Sequence, residues 1–292
     1  MDILRGYYEC PHISIWGGRI LHNSLENLVL QFKVEFIDHL KNLILQFKVE
    51  FIDHLKNLAL QFKVAFIDDD RYMYLVEGLW NTLKLTFFAL LVGIVLGVVV
   101  ALVRTAWDSA HDTMRGGAGK VTLGFFNVLS KIYLTVIRGT PVVVQIMIIF
   151  FVIMANSNNK MLAGVVAFGI NSGAYVAEII RGGIMSIDSG QMEAGRSLGF
   201  NYVQTMIHII IPQAFKVVLP SLANEFIVLL KETAVAGYVA LTDLTRGANI
   251  IRGITYQSFL PLLAAALIYL ILVMFFTWLV GKFERRLRSN EH

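Results

Sequence analysis

Long stretches without a charged residue constrain this chain more than any other feature. A helix needs about 20 apolar residues to cross the roughly 30 Å hydrocarbon core of a bilayer. On this basis we predict five spans, over residues 85–103, 139–159, 161–177, 209–230 and 253–281. Only the fourth contains charges, Lys216 and Glu225. The sequence therefore predicts an all-α integral membrane protein with five transmembrane helices.

The composition excludes several other classes of protein. Hydrophobic residues make up 56% of the 292-residue chain and charged residues only 16%, whereas soluble domains average about 25% charged. A single cysteine, Cys10, leaves no partner for an internal disulfide bond and no cysteine-based metal cluster. The seven histidines show no paired spacing that would indicate a metal site, and a net charge of +4 is too small to indicate nucleic-acid binding.

The distribution of Lys and Arg between the predicted loops indicates the orientation. Basic residues are enriched in short cytoplasmic loops. They are concentrated between the first and second spans, between the third and fourth, and after the fifth, with few in the two loops on the opposite side. We therefore expect the N-terminus outside and the C-terminus in the cytoplasm.

Residues 28–72 contain three copies of a 15-residue repeat. LVLQFKVEFIDHLKN is followed by LILQFKVEFIDHLKN and then by LALQFKVAFIDDDRY. In a straight helix an apolar stripe with this period rotates by roughly 60° per copy, while LQFKVEF alternates like a strand, so the secondary structure is left open. We assign residues 1–72 to an extracytoplasmic segment and 73–292 to a transmembrane domain. The repeat is either a local duplication in a tail or an amphipathic, partner-binding arm.

The predicted cytoplasmic loop at 186–202 contains a short polar helix. Asp188 followed by Gln191 is a capping-box pattern, and Gly199 can end the helix in the left-handed conformation. Such a helix is either an ordinary amphipathic loop helix or a projection that docks into a groove of a soluble partner.

This loop resembles the EAA loop of ABC-importer permeases. Glu193-Ala194-Gly195, then Gly199, then Ile209 to Pro212 reproduce the spacing of that motif. Gly195 replaces the second Ala of the pattern, which loosens a helix by up to about 1 kcal/mol, and Ile211 replaces a Leu. The resemblance implies that Asp188, Gln191, Glu193, Ala194, Gly195 and Gly199 couple the chain to an ATPase.

Further blocks are similar to the polar amino-acid uptake permeases of the histidine, glutamine and arginine type. They are EGLWNTLKLT at 77–86, IRGTPVVVQ at 137–145, NSGAYVAEIIRGGI at 171–184, NEFIVLLKET at 224–233 and LTDLTRGANII at 241–251. The resemblance implies a type I ABC-importer permease fold in the bacterial inner (cytoplasmic) membrane, and a subunit that is not itself an enzyme. It implies a dimer of ABC ATPase subunits, a second permease subunit (identical or paralogous) and an extracytoplasmic amino-acid-binding protein.

The expected ATP and Mg would be bound by the partner ATPase, and we predict no cofactor in this chain. Residues Arg115 to Lys120 resemble a phosphate-binding loop only faintly, because Met114 stands where a glycine is needed. Val121 also replaces the Ser or Thr that would bind Mg²⁺.

Polar residues within or near the spans are candidates for the substrate path, because they are costly to place in a bilayer. They are Gln145, Asn171, Ser172, Glu178, Asn224, Glu225 and Lys231. Glu178 has an alternative role as an ion-pair partner of Arg181, and Glu225 and Lys231 have alternative roles in packing or at the membrane interface. A secondary transporter or channel independent of an ATPase is the competing functional interpretation, although the sequence shows no inverted repeat.

Overall fold

The computed structural model describes residues 13–110 and 117–288. Cys10 and the Arg115–Gly116 part of the phosphate-loop-like segment lie outside these ranges. The described chain forms two compact units, one ending at Gln61 and the other beginning at Phe62.

The described residues of the first unit all lie in one long helix, α1, which runs over Ile13–Phe62. Both complete repeat copies are therefore helical, which resolves the ambiguity of their sequence pattern. From Leu30 to Gln61 every residue of this helix is exposed. Its ion pairs, Lys41 with Asp38 at 3.7 Å and Lys56 with Asp53 at 3.8 Å, are exposed as well and contribute little stability.

The second unit is helical throughout its described residues. Its α-helices are α2 (Tyr72–Ala110), α3 (Ala118–Gly139), α4 (Val142–Ile148), α5 (Lys160–Met185), α6 (Ser189–Ser197), α7 (Tyr202–Thr205), α8 (Ile211–Glu232), α9 (Leu244–Thr255) and α10 (Phe259–Arg288). Turns of π-helix lie at Lys63–Ile67, Ile149–Ile153 and Met206–Ile210, and turns of 3₁₀-helix at Asp68–Asp70 and Thr233–Val239.

Five helices are long and apolar enough to cross a bilayer, which confirms the predicted number. They cover Tyr72–Ser109, Ala118–Gly139, Lys160–Met185, Tyr202–Val239 and Phe259–Arg286. The predicted position of the second span was wrong. The segment 139–159 contains only the short helix Val142–Ile153, which at about 1.5 Å per residue is too short to cross. Lys131 and Arg138 made α3 look like a charged loop, yet this helix buries Asn127, Ser130 and Leu134.

The centre of the second unit is the contact between α2 and α5, which run in the same direction. Contacts advance along both helices together, from Leu85 near Gly164 to Val92 near Gly169. Further along, a Cβ atom at Gly97 would lie 2.5 Å from Val176. Small residues thus let the two backbones approach closely, and Gly97 of the Gly93–Gly97 pair lies at this contact.

Two ends of the helix bundle can be distinguished from these contacts. Helices α5 and α8 are antiparallel, because Gly183 lies near Val218 while Ser172 bonds to Glu225. Helix α9 packs against the start of α2, where the Cβ of an alanine at Gly247 would meet the backbone of Tyr74. Since α2 and α5 are parallel, the loop carrying α6 and the helix α9 lie at opposite ends.

The last part of the third repeat copy belongs to the second unit. Ala65 is fully buried and Phe66 is 8% exposed. Both lie in an apolar cluster with Leu75 of α2 and with Leu244 and Ile251 of α9. This cluster joins the third copy to the end of the bundle that carries α9.

Candidate coupling loop and substrate path

Helix α6 begins and ends where the sequence predicts. The carboxylate of Asp188 accepts a hydrogen bond from the backbone N–H of Gly190 at 2.7 Å. Gly199 has a φ of +85°, a conformation that is strained for residues with a Cβ. The N–H of Phe200 closes the last turn by donating to the Gly195 carbonyl at 3.0 Å. The result is a short, well-capped helix between two spans.

The predicted role of Gln191 in a capping box was wrong. Its side-chain oxygen accepts a hydrogen bond from Gln213 of α8 at 3.3 Å, so the side chain reaches α8 instead of the start of its own helix. A complete capping box occurs at the next helix, α7, between Asn201 and Gln204. Gln191 therefore ties α6 to the span that follows it.

Gly195 is buried against α7 and the π-helical turn that follows. A Cβ atom at this position would lie 2.5 Å from Cγ2 and 2.7 Å from Oγ1 of Thr205, which is fully buried. Under 3.0 Å such contacts require the neighbour to move. The departure of Gly195 from the EAA pattern therefore has a structural reason, since Thr205 occupies the space that an alanine methyl would need. Sequence reasoning missed Thr205, because nothing in the chain marks it as a neighbour of Gly195.

The outer face of the loop is exposed and partly apolar. Glu193 and Ala194 are both exposed, and Leu198 at the end of α6 is 73% exposed. Val203 of α7 and Ile207 of the π-helical turn that follows extend this apolar surface, at 60% and 53% exposure. An acidic side chain beside a patch of exposed aliphatic residues is suited to contact with another protein. Leu198, Val203 and Ile207 were absent from the predicted coupling residues.

Four of the candidate path residues form two hydrogen-bonded pairs on adjacent positions of α5. Asn171 donates to Oε1 of Gln145 at 2.9 Å, and Ser172 donates to Oε1 of Glu225 at 2.8 Å. All four side chains are buried. The polar group thus joins α4, α5 and α8 in the interior of the bundle.

Gln145 connects this polar group to the end of α3. Its amide nitrogen donates to the carbonyls of Ile137 at 2.7 Å and Thr140 at 2.9 Å. The Oδ1 atom of Asn171 is buried without a hydrogen-bond partner in the described part of the chain. Buried polar atoms normally have partners, so this oxygen is an unsatisfied acceptor in the interior of the bundle.

Glu178 forms the ion pair that the sequence allows and also lines a cavity. Its carboxylate lies 3.1 Å from Arg181 and 3.7 Å from Arg138. The cavity has a volume of about 810 Å³ and is also lined by Arg104, Lys131 and Tyr175. Both interpretations of Glu178 are therefore compatible with its position.

Asn224 and Lys231 do not join the buried polar group. Both are exposed on α8, and Ser221 and Val228 are exposed on the same helix at intervals of three and four residues. These residues lie on one helix face, which is exposed in the described chain. The seven path candidates thus divide into a buried group, a cavity-lining residue and an exposed face.

Comparison with known proteins now gives the family. Residues 118–289 match the family described as the binding-protein-dependent transport system inner membrane component. The chain belongs to this family. Members are non-catalytic subunits of ABC transporters in the inner membrane, and membership implies an ATPase and a binding protein as partners.

This chain is also similar to individual proteins over about three quarters of its length. It is 37% identical to the arginine transport system permease protein ArtQ of Bacillus subtilis over 221 residues, which are 75% of this chain and 94% of ArtQ. It is 35% identical to a putative glutamine transport system permease protein GlnP of Rickettsia typhi over 223 residues, covering 75% of this chain and 95% of that protein. A solved amino acid ABC transporter with histidines matches at 41% identity with a TM-score of 0.66, covering 76% of this chain and 98% of that one. This permease therefore has the fold of a type I ABC importer subunit.

Proposed function

We propose that this permease carries polar amino acids into the cell and that the energy comes from ATP hydrolysis in a partner. The observation that carries the substrate class is the match to arginine and glutamine permeases over more than nine-tenths of their length. The chain is long enough to supply the whole membrane subunit. Coupling then requires a surface for the ATPase and a polar path through the spans, and candidates for both are present.

The ATPase contacts the loop at 186–202 in this proposal. Helix α6 presents Glu193 and Leu198 outward while Gly195 anchors its inner face on Thr205. A short helix fixed to the bundle at both ends moves as a rigid body when a partner displaces it. Closure of the ATPase dimer would therefore move α5 and α8, which flank the loop.

The N-terminus lies outside and the C-terminus lies in the cytoplasm in this proposal. With α3 as the second span, basic residues still concentrate on the side of α6 and of the C-terminal segment. The four residues Lys282, Arg285, Arg286 and Arg288 follow the last apolar run. This bias supports a cytoplasmic α6. In this proposal α9 and the end of the third repeat copy lie on the outer side.

The substrate path includes the buried polar group and the exposed face of α8. Asn171 offers an unpartnered carbonyl oxygen, which can accept a hydrogen bond from an ammonium or amide group. The face that carries Asn224 and Lys231 would be covered by a second permease subunit, identical or paralogous. Polar side chains would then meet between the two subunits, where a zwitterionic substrate finds both donors and acceptors.

The decisive experiment measures ATP hydrolysis by the reconstituted complex of permease, ATPase and lipid. Candidate binding proteins are added after loading with glutamine, arginine, histidine, glutamate or cystine. We expect one loaded binding protein to stimulate hydrolysis several-fold over its unloaded form. Uptake that persists without an ATPase would contradict the proposal and favour a secondary transporter.

A further inference from the structure

A continuous apolar seam runs along α1. In the second repeat copy it consists of Leu43, Phe47, Phe51 and Leu55, each four residues apart. Three residues later Leu58 starts the pattern again, and the first copy shows the same spacing from Leu28. From Leu28 to Phe62 the seam side chains are between 44% and 71% exposed. An apolar surface of this length on one helix requires a partner.

The spacing of the seam determines the geometry of that partner. Steps of four, four, four and three residues make 15 residues in four turns, or about 3.75 residues per turn. This exceeds the 3.6 residues of a straight helix, so the seam drifts in the right-handed sense, as it does for 11-residue repeats. A drift of roughly 60° per copy completes a circle in roughly 135 Å, close to the pitch of about 150 Å in two-stranded coiled coils. The seam is therefore that of a right-handed coiled coil.

The first two copies cannot take the place of the third copy in the apolar cluster. The third copy enters the apolar cluster at Ala65, which is fully buried. Glu35 and Glu50 occupy the equivalent position in the other two copies, and both are exposed. A shift of α1 by one copy would bury a carboxylate among apolar side chains, which is strongly unfavourable.

The two edges of the seam have opposite charge. Residues that follow seam positions include Lys33, Lys41, Lys48 and Lys56, whereas residues that precede them include Glu35 and Glu50. In a parallel pair of helices the following edge of one helix lies beside the preceding edge of the other, as g and e positions do in a heptad coiled coil. Lysines then face glutamates. Antiparallel pairing would place lysines beside lysines.

We propose that residues 28–62 of two copies of this chain form a parallel, in-register, right-handed coiled coil. A lipid surface is a poorer occupant, because helices that lie on membranes carry Lys and Arg on their polar face. The face opposite this seam instead carries Asp38 and Asp53 beside the aliphatic side chains of Leu30, Val34, Leu45 and Val49, which are 52% to 65% exposed. Two copies inserted in one membrane with the same orientation supply the parallel direction.

Disulfide cross-linking of the full-length chain in its membrane tests the proposal. Cys10→Ser removes the native cysteine, and Leu55→Cys then places a single thiol on the seam. Asp53→Cys, two residues away on the opposite face, is the matched control. We expect oxidation to convert Leu55→Cys to a dimer of twice the 32.8 kDa chain mass at least fivefold more than the control. Leu40→Cys, the equivalent position in the first copy, should behave like Leu55→Cys.

Charge exchange along the edges tests the parallel arrangement. In the Leu55→Cys chain, replacing Lys33, Lys41, Lys48 and Lys56 by Glu should reduce cross-linking at least fivefold. Adding Glu35→Lys and Glu50→Lys should restore it. Three results would each overturn the proposal. The first is equal cross-linking of the seam variant and the control, and the second is cross-linking only in mixtures of Leu40→Cys and Leu55→Cys chains. The third is protection of the Leu55→Cys thiol from a water-soluble maleimide without formation of any dimer. None of these readouts depends on transport.

Discussion

Helices α5 and α6 follow one another in the chain and both contain glycines, yet they differ in what surrounds those glycines. Helix α5 is the most buried of the five spans, with 67% of its most apolar window buried. Helix α6 buries only Gly195. In α5, glycines admit neighbouring helices on several sides, whereas in α6 one glycine fixes the helix and leaves the rest of its surface exposed.

This difference predicts that substitutions in α5 reduce stability, whereas substitutions on α6 reduce coupling to the ATPase. A substitution in α5 meets other helices of the same chain, so its effect appears as loss of folded protein. A substitution on α6 meets water in the isolated chain and, in the proposed function, the partner ATPase. Its effect therefore appears as loss of transport by a folded protein, and the variants below are chosen to test this separation.

Gly169→Leu should have the largest effect. A Cβ atom there would lie 2.6 Å from Val92 and 3.2 Å from the Ala89 carbonyl oxygen, and overpacking of this kind costs about 1–3 kcal/mol or more. We expect at least a fivefold loss of monodisperse protein in size-exclusion chromatography. Gly182→Leu is the control, because no atom lies within 4 Å of its Cβ position. Equal loss from both variants would contradict the packing argument.

Glu193→Lys should abolish transport without loss of protein. The side chain is exposed, so the folded chain tolerates the change, whereas a reversed charge opposes docking in a groove that accepts Glu. We expect uptake to fall at least tenfold while the protein elutes as before. Asp38→Lys on α1 makes the same change of charge and should transport normally. Normal transport by Glu193→Lys would remove this residue from the coupling surface.

Gly195→Ala should reduce uptake several-fold, and Thr205→Ala should rescue it. The new methyl group collides with the side chain of Thr205, and truncation of that side chain to Ala removes the two nearest atoms, Cγ2 and Oγ1, and leaves only Cβ at 3.1 Å. Thr205→Ala alone loses the hydrogen bond to the Asn201 carbonyl at 3.1 Å, worth about 0.5–1.5 kcal/mol. The measurement is uptake by the two single variants and the double variant, and failure of the double variant to exceed Gly195→Ala would refute the collision.

Asp243→Asn should have the smallest effect, visible only as a pH dependence. Asp243 lies between the last two spans, is fully buried and caps α9 through the N–H groups of Thr245 and Arg246. Burial raises the pKa of its carboxyl above the ordinary value of 3.8. The folded chain therefore holds this proton to higher pH than the unfolded chain, so its contribution to stability decreases as pH rises from about 3.8 through the folded pKa.

Thermal unfolding of this variant and the parent chain between pH 4 and 8 measures the effect. Asn also caps helices well. The stability of Asp243→Asn relative to the parent should therefore increase as pH rises through this window and then become constant. Asp243→Ala, which lacks the cap, should be less stable throughout by about 0.5–2 kcal/mol. A difference in unfolding temperature between Asp243→Asn and the parent that stays constant with pH would contradict the raised pKa of Asp243.

The position of α3 shows where sequence reasoning failed. Its charges at Lys131 and Arg138 hid a helix that is long and apolar enough to cross, whereas the helix within the uncharged segment after it, Val142–Ile153, is too short. Charge-free length is a good criterion for a span that faces lipid on most sides. It fails for a helix whose polar residues, such as Asn127, are buried against other helices.

The sequence by itself determined the membrane class, the number of candidate spans, the short helix in the loop at 186–202 and the glycine that ends α6, because each depends on residues that are neighbours in the chain. Only the tertiary structure decided that Gly195 needs the space left by Thr205, that Asn171 pairs with Gln145, and that Asn224 and Lys231 lie apart from the buried polar group. Those relations join residues that are distant in sequence. They depend on how the helices pack, and helix packing is determined by side-chain shape across many contacts at once.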